Sequence, residues 1–209
     1  MSTVLRPPEQ REEEAAGASL VVRKERGSVE RLAGLFSLPQ EDGKEAKRQS
    51  RLLVSMARSE AETLVKDYLS QQGSPFSDNA KPPTLIIDDL PVLDKTALPS
   101  SPWKRLAISL SAFLSFRGWL ASVLAWQRSL NPKSRDLLNS LDLSRNNSLA
   151  ISSALGALLG QTDHPSPSSP TISNVFKQKV AGYMICKHYC DWLAQTEKDL
   201  VVLVAESSV

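Results

Sequence analysis

The sequence has 209 residues, 41% of them hydrophobic, which is enough for one well-packed domain and an extended tail. Its 25 basic and 23 acidic residues nearly cancel and are interspersed, so no basic stripe of the kind that binds nucleic acid is visible. Strand patterns are nearly absent, which favours an all-α fold.

Residues 1–43 combine charged runs with Pro and Gly breaks and show no sustained hydrophobic period. This composition predicts a disordered N-terminal tail ahead of a helical domain at residues 44–206. The tail also lacks the apolar run and small-residue cleavage site of a signal peptide. Taken alone, that feature favours residence in the cytosol.

The first helical segment is predicted from about Lys44 to Gln72, with Gly73 as its stop signal. Apolar side chains recur every three or four residues from Leu53 to Tyr68 and define a core-facing stripe. The opposite, exposed face carries charged side chains: Arg58, Glu62 and Lys66.

The second segment is predicted from about Trp103 to Leu130, with Ser101-Pro102 as a suitable N-cap and N1 pair. It is apolar over more than one face, and the run from Leu106 to Trp126 approaches the length of a membrane span. Arg117 lies at the centre of that run, where a charge is costly in a bilayer. A helix buried on several sides therefore explains the run better than membrane insertion, which stays the lesser alternative.

The third segment follows Asn131-Pro132 and reaches about Gln161. Its two ends are apolar, but its middle, Ser144 to Ser148, is polar and has low helix propensity. The sequence leaves open whether this middle forms a bend or a weakly held turn.

The fourth segment is predicted from about Asn174 to Glu206, with Ser173 as its N-cap. One continuous apolar stripe is assigned to the core: Ile185, Cys186, Tyr189, Trp192, Leu193, Thr196, Leu200 and Leu203. Cys186 and Cys190 are four residues apart on this helix, with poorly directed Cβ vectors for a disulfide, so free thiols are expected. His188 points away from both, so we expect no metal site.

Phe176, near the start of the fourth segment, lies roughly 140° around the helix from the centre of the core stripe at about 100° per residue. Lys179 falls on the adjoining flank. Two interpretations stay open on geometry alone. Either a neighbouring loop folds over Phe176 and buries it, or Phe176 is an exposed aromatic anchor with a charged neighbour, as in interface hot spots.

Loop lengths predict the topology. About two residues join the second and third segments, whereas about 29 residues (73–101) and about 12 residues (162–173) make the other connections. A short loop requires antiparallel neighbours, and long loops allow a crossover back along the bundle. The pattern predicts an all-α, long-chain, up-up-down-down four-helix bundle with two long crossover loops.

Catalytic motifs are missing: there is no glycine-rich phosphate loop, no nucleophile elbow and no histidine-based metal motif. The acidic pair Asp88-Asp89 lies in the long loop, where a solvated turn is the expected state. We therefore expect a protein that is not an enzyme and uses no cofactor.

From Val175 the chain reads V-F-K-Q-K-V-A-G-Y-M-I-C-K-H-Y-C-D-W-L. This run resembles the last helix of cardiotrophin-type cytokines and, less closely, of ciliary neurotrophic factors, both in the interleukin-6 family. Further matches occur in the same order at Gln72-Gly73-x-Pro75-Phe76, Leu130-Asn131-Pro132 and Ala154-Leu155-x-Ala157-Leu158. The resemblance covers about residues 50–203.

The resemblance implies a mechanism. Such cytokines bridge the leukaemia inhibitory factor receptor and the signal-transducing glycoprotein chain common to the interleukin-6 family, which brings Janus kinases together and activates STAT proteins. The family's F-x-x-K motif, which contacts the leukaemia inhibitory factor receptor, falls on Phe176 and Lys179. Outer faces of the first and third helices would meet the common chain, and Arg58, Glu62 and Lys66 are chosen there from exposure alone.

Two points stay open beside this interpretation. A third, non-signalling alpha receptor belongs to some complexes of this kind, and the sequence does not decide whether one is needed. The resemblance also implies secretion without a cleavable signal peptide, with a cytoplasmic pool as a further expectation. The alternative function is an intracellular helical adaptor that uses the same amphipathic faces on a cytosolic partner.

Overall fold

A computed structural model describes residues 40–78, 82–161 and 172–206 of the chain. The secondary structure of these residues is four α-helices without a strand: α1 Gln40–Gln71, α2 Pro102–Leu130, α3 Arg135–Leu159 and α4 Val175–Glu206. The predicted all-α class is confirmed, and α1 begins four residues before the predicted Lys44. Residues 1–39 of the predicted tail lie outside the described residues, so the domain division stays a prediction.

Side-chain contacts show that α1 and α2 run parallel. Near their starts, the Lys47 ammonium lies 5.3 Å from the centre of the Trp103 ring. Near their ends, the Gln127 Nε2 donates a hydrogen bond of 3.0 Å to the Tyr68 hydroxyl. Two helices that meet start to start and end to end point in the same direction.

Helix α3 runs opposite to α1. Near the α1 C-terminus, the Ser134 hydroxyl just before α3 donates to Gln71 Oε1 at 2.9 Å. Earlier in α1, the Glu60 carboxylate accepts a hydrogen bond of 2.7 Å from the side-chain amide of Asn147, which lies midway along α3. Residues later in α3 therefore meet residues earlier in α1.

Helix α4 is also antiparallel to α1. Arg58, midway along α1, forms an ion pair of 2.9 Å with Glu197 near the α4 C-terminus. The carbonyl of Gln72, just past α1, accepts a bond from Lys179 in the first turns of α4. Two helices up and two down confirm the predicted up-up-down-down bundle.

The core is the predicted stripe of α4 packed against the other helices. All eight stripe residues are buried: Ile185, Cys186, Tyr189, Trp192, Leu193, Thr196, Leu200 and Leu203. The Tyr189 ring lies edge-on to Phe113 at 6.1 Å and to Phe116 at 5.6 Å between ring centroids, a favoured aromatic geometry.

Helix α2 packs against both α3 and α4, which accounts for apolar residues on more than one of its faces. By length and composition it is apolar enough to cross a membrane, but 56% of its most apolar 18-residue stretch is buried inside the bundle. Packing against these two neighbouring helices therefore explains why α2 is so apolar.

The polar middle of α3 forms neither a bend nor a loose turn. The helix is continuous, and Ser144 and Ser148 are buried. Ser148 donates a hydrogen bond of 2.7 Å to the Phe113 carbonyl of α2. The small Ser148 side chain therefore fits between α2 and α3 while its buried hydroxyl stays satisfied.

The helix ends refine the predicted caps. Ser101 occupies the N-cap position of α2 with Pro102 at N1, as predicted, but its hydroxyl makes no capping bond. At α4 the predicted cap, Ser173, is wrong by one residue. Asn174 is the cap, because its side-chain oxygen accepts a bond of 2.9 Å from the Lys177 amide.

The long loop between α1 and α2 is fastened along α4 at three levels. The Leu85 amide contacts the Met184 sulfur at 3.1 Å, and the Trp192 indole donates to the Pro91 carbonyl at 2.8 Å. At the loop's end, Arg105 binds two loop carbonyls and forms a 2.7 Å ion pair with the buried Asp199. The loop is thus part of the packed structure.

Breaking that last fastening should destabilise the fold. Asp199→Ala leaves the largely buried Arg105 guanidinium without its carboxylate, so we expect a loss of about 3 kcal/mol in the free energy of unfolding. The matched control is Asp191→Ala, which removes an exposed ion pair with Lys187 and should cost less than about 1 kcal/mol. Urea denaturation followed by circular dichroism measures both, and equal losses would contradict the assignment.

A second prediction concerns Gly182, where a Cβ would overlap the Tyr68 ring and hydroxyl. Gly182→Ala should lower the free energy of unfolding by about 2 kcal/mol, because Tyr68 is fully buried and has no room to move away. Gly43→Ala is the control, since its Cβ would meet nothing within 4 Å. That change should stabilise α1 by up to about 1 kcal/mol. Equal stability of the two variants would show that Tyr68 is not held there.

Candidate functional site

Phe176 lies in the first turn of α4 with 51% of its surface exposed. The ring of Phe76, from the loop after α1, packs against it with 5.9 Å between centroids and 50° between planes. Phe76 itself is only 4% exposed. The loop therefore supports one side of Phe176 without covering it, and the other side stays open to solvent; its role as an interface anchor stays a prediction.

Lys179 lies one turn further along α4 and is half-buried. Its ammonium donates a hydrogen bond of 2.8 Å to the Gln72 carbonyl at the C-terminus of α1. A cation at this end of a helix binds orphan carbonyls and is favoured by the helix dipole. The sequence places Lys179 beside Phe176, but it gives no sign of this intramolecular partner.

A buried polar network lies directly beneath this site. The side-chain amides of Gln72 and Gln127 pair reciprocally, with bonds of 3.1 Å and 3.3 Å. Gln127 also donates to the Tyr68 hydroxyl, and that hydroxyl donates to the Lys179 carbonyl at 3.3 Å. Both glutamine side chains and the phenol are thus satisfied in a buried position. The network joins α1, α2 and α4 at this end of the bundle.

The three charged residues predicted on the outer face of α1 are placed differently from one another. The Arg58 guanidinium is engaged inside the protein, because it forms ion pairs of 2.9 Å with both Glu197 and Glu62. These bonds raise the pKa of Arg58, with Glu197 as the larger cause. Glu62 and Lys66 are exposed. All three lie on the side of α1 that turns toward α4.

The same helix also exposes apolar residues that were not predicted as contacts from the sequence. Leu52 is 63% and Met56 58% exposed, and they are one turn apart on α1. They lie on the outer side that turns toward α3, where Leu143 is also 44% exposed. Their spacing of four residues, out of phase with the core stripe, was the signal available in the sequence.

The two cysteines are free thiols in the structure, as expected. Cys186 is fully buried, and burial raises the pKa of both the Cys186 and the Cys190 thiol. Thiols held in the neutral form are poor nucleophiles and poor metal ligands. His188 lies on another side of α4, and no group of metal-binding side chains occurs within residues 40–78, 82–161 and 172–206.

Similarity to known proteins identifies the family. No protein-family profile matches the chain. It is 32% identical to mouse cardiotrophin-1 over 75% of this chain and 84% of that protein, and 30% identical to human cardiotrophin-1 over 77% and 86%. It is also 33% identical to mouse cardiotrophin-2 over 69% and 76%. The chain belongs to the cardiotrophin group of the interleukin-6 family, and is an extracellular cytokine rather than an enzyme.

Proposed function

We propose that this cytokine bridges two receptor chains, the leukaemia inhibitory factor receptor and the common signal-transducing glycoprotein chain of the interleukin-6 family. Bridging would bring the receptors' cytoplasmic domains and their Janus kinases together and activate STAT proteins. The observation that carries the proposal is the half-exposed Phe176 seated on Phe76 at the end of the bundle.

The start of α4 is suited to the first receptor because it offers a large aromatic side chain in a supported position. An aromatic ring that is already ordered loses little conformational entropy on binding, and such residues dominate interface energetics. The adjoining Val175 is also 51% exposed and extends the apolar area. The resemblance of Phe176-x-x-Lys179 to the family's receptor motif supports our choice of the leukaemia inhibitory factor receptor for this surface.

The shared outer face of α1 and α3 is suited to the common chain. Leu52, Met56 and Leu143 are exposed apolar residues on two helices joined by the Asn147–Glu60 hydrogen bond. That bond holds α1 and α3 side by side, with Met56 before it and Leu143 beyond it along the bundle, so a receptor that spans both helices could reach these side chains. This choice moves the centre of the proposed contact away from Arg58, which is engaged by Glu197, and leaves Glu62 and Lys66 at its margin.

Phe176→Ala tests the first contact. We expect affinity for the leukaemia inhibitory factor receptor ectodomain to fall about 30-fold, the loss typical of an aromatic hot spot of about 2 kcal/mol. Helicity should not change, because the exposed side chain contributes little to the core. Lys177→Ala is the matched control, since Lys177 is the next residue, is exposed and points to another side of α4.

Surface plasmon resonance on immobilised receptor ectodomain measures both variants. Full retention of affinity by Phe176→Ala would overturn the proposed site, as would an equal loss in Lys177→Ala.

Leu52→Ser with Met56→Ser tests the second contact. We expect affinity for the common chain to fall about tenfold, because two exposed apolar side chains leave the interface, and binding to the leukaemia inhibitory factor receptor to stay unchanged. Glu62→Ala with Lys66→Ala is the comparison pair on the neighbouring side of α1. A larger loss in that pair would return the contact to the charged residues chosen from the sequence.

A further inference from the structure

The two residues of the Phe176-x-x-Lys179 motif face different partners in the free protein. Phe176 presents one side of its ring to solvent, whereas the Lys179 ammonium is bonded 2.8 Å from the Gln72 carbonyl. A lysine whose charge is directed at a helix C-terminus is already engaged before any receptor arrives.

The carbonyl that Lys179 holds is the last one before the turn that carries Phe76. Gly73 follows it with a φ of 72°, and the Gly73 carbonyl then accepts the amides of Phe76 at 2.9 Å and Ser77 at 3.1 Å. This tight turn sets the position of the Phe76 ring. Fixing Gln72 therefore fixes the base of the turn, and with it the support under Phe176.

Gln72, whose carbonyl is the acceptor, is also held by its own side chain. The Gln72 side chain is 2% exposed and is bonded to the fully buried Gln127 of α2. The Tyr68 hydroxyl meanwhile binds the Lys179 carbonyl, so the backbone of α4 and the side chain of its lysine both reach the end of α1. Both partners in the Lys179–Gln72 bond are immobilised. The bond can therefore fix the position of Gln72 relative to α4, beyond any favourable charge interaction.

We infer that Lys179 is a positioning residue, which caps α1 at Gln72 and thereby seats Phe76 beneath Phe176. Its contribution to receptor affinity, which rests on the proposed function, then passes through the Phe76–Phe176 pair. The receptor meets an aromatic surface that is already ordered, so less entropy is lost on binding.

Amide hydrogen exchange tests the positioning role without any receptor. Lys179→Met keeps the aliphatic stem and removes the capping ammonium. The amides of Phe76 and Ser77 should then exchange about fivefold faster, because the turn opens more often. The control, Lys177→Met, removes an exposed lysine two residues away and should leave those amides unchanged. Unchanged exchange in Lys179→Met would overturn the inference.

A double-mutant cycle tests the route to affinity. Affinity for the leukaemia inhibitory factor receptor is measured for Lys179→Met, for Phe76→Leu and for the double variant, with common-chain affinity as the check on folding. If Lys179 acts through Phe76, the double variant should bind within about twofold of the weaker single variant. If the two fold-losses multiply instead, Lys179 contacts the receptor directly and the inference is wrong.

The two experiments separate failure of this inference from failure of the proposed function. Should Phe176→Ala bind the receptor normally, the proposed receptor site falls, yet the exchange rates at Phe76 and Ser77 still decide whether Lys179 positions the turn. A Phe76→Leu variant that loses common-chain binding would be replaced by Phe76→Met, whose unbranched, flexible side chain adapts better to the space that the ring leaves.

Discussion

The structure depends most on the junction where the end of α1, the end of α2 and the start of α4 meet. Gln72, Gln127 and Tyr68 bring five buried polar side-chain atoms to one place, and each atom has a partner on another of the three segments. An unpaired amide there would cost roughly 1–3 kcal/mol, so the three helix ends have little freedom to move apart. The close approach of Tyr68 to Gly182 further restricts their arrangement.

This junction explains why an exposed aromatic stands at the end of the bundle. The core stripe of α4 begins below Phe176, and the first turn of α4 projects beyond the buried layers. The turn after Gln72 then supplies the ring of Phe76 as a support. Packing that serves the fold thus also orders the surface that we assign to a receptor. The long loop is held in a similar way: α4 binds it at Met184 and Trp192, and Asp199 of α4 pairs with Arg105, which binds the last loop carbonyls.

The sequence predicted the helices and the core well because both follow from local periodicity. All eight residues assigned to the α4 stripe are buried, and loop lengths were sufficient for the topology. Features that depend on a distant partner were out of reach. The Ser144 to Ser148 run gave no indication of burial because the acceptor of Ser148 lies in α2, 35 residues away.

The same limit applies to the candidate site. Helical geometry placed Lys179 beside Phe176, but its partner Gln72 is 107 residues earlier in the chain and offers only a backbone carbonyl. A carbonyl is present at every residue, so no sequence pattern marks this one. Arg58 was assigned to the exposed face of α1 for a similar reason, because its partner Glu197 is 139 residues away.

The proposed receptor bridging requires two separate faces of one bundle to engage two different receptor chains. This requirement can be tested by site-specific photo-cross-linking in a mixture of both ectodomains, with a photoreactive phenylalanine placed in turn at Phe176 and at Met56. We expect position 176 to cross-link to the leukaemia inhibitory factor receptor and position 56 to the common chain. Cross-linking of both positions to the same receptor would contradict it.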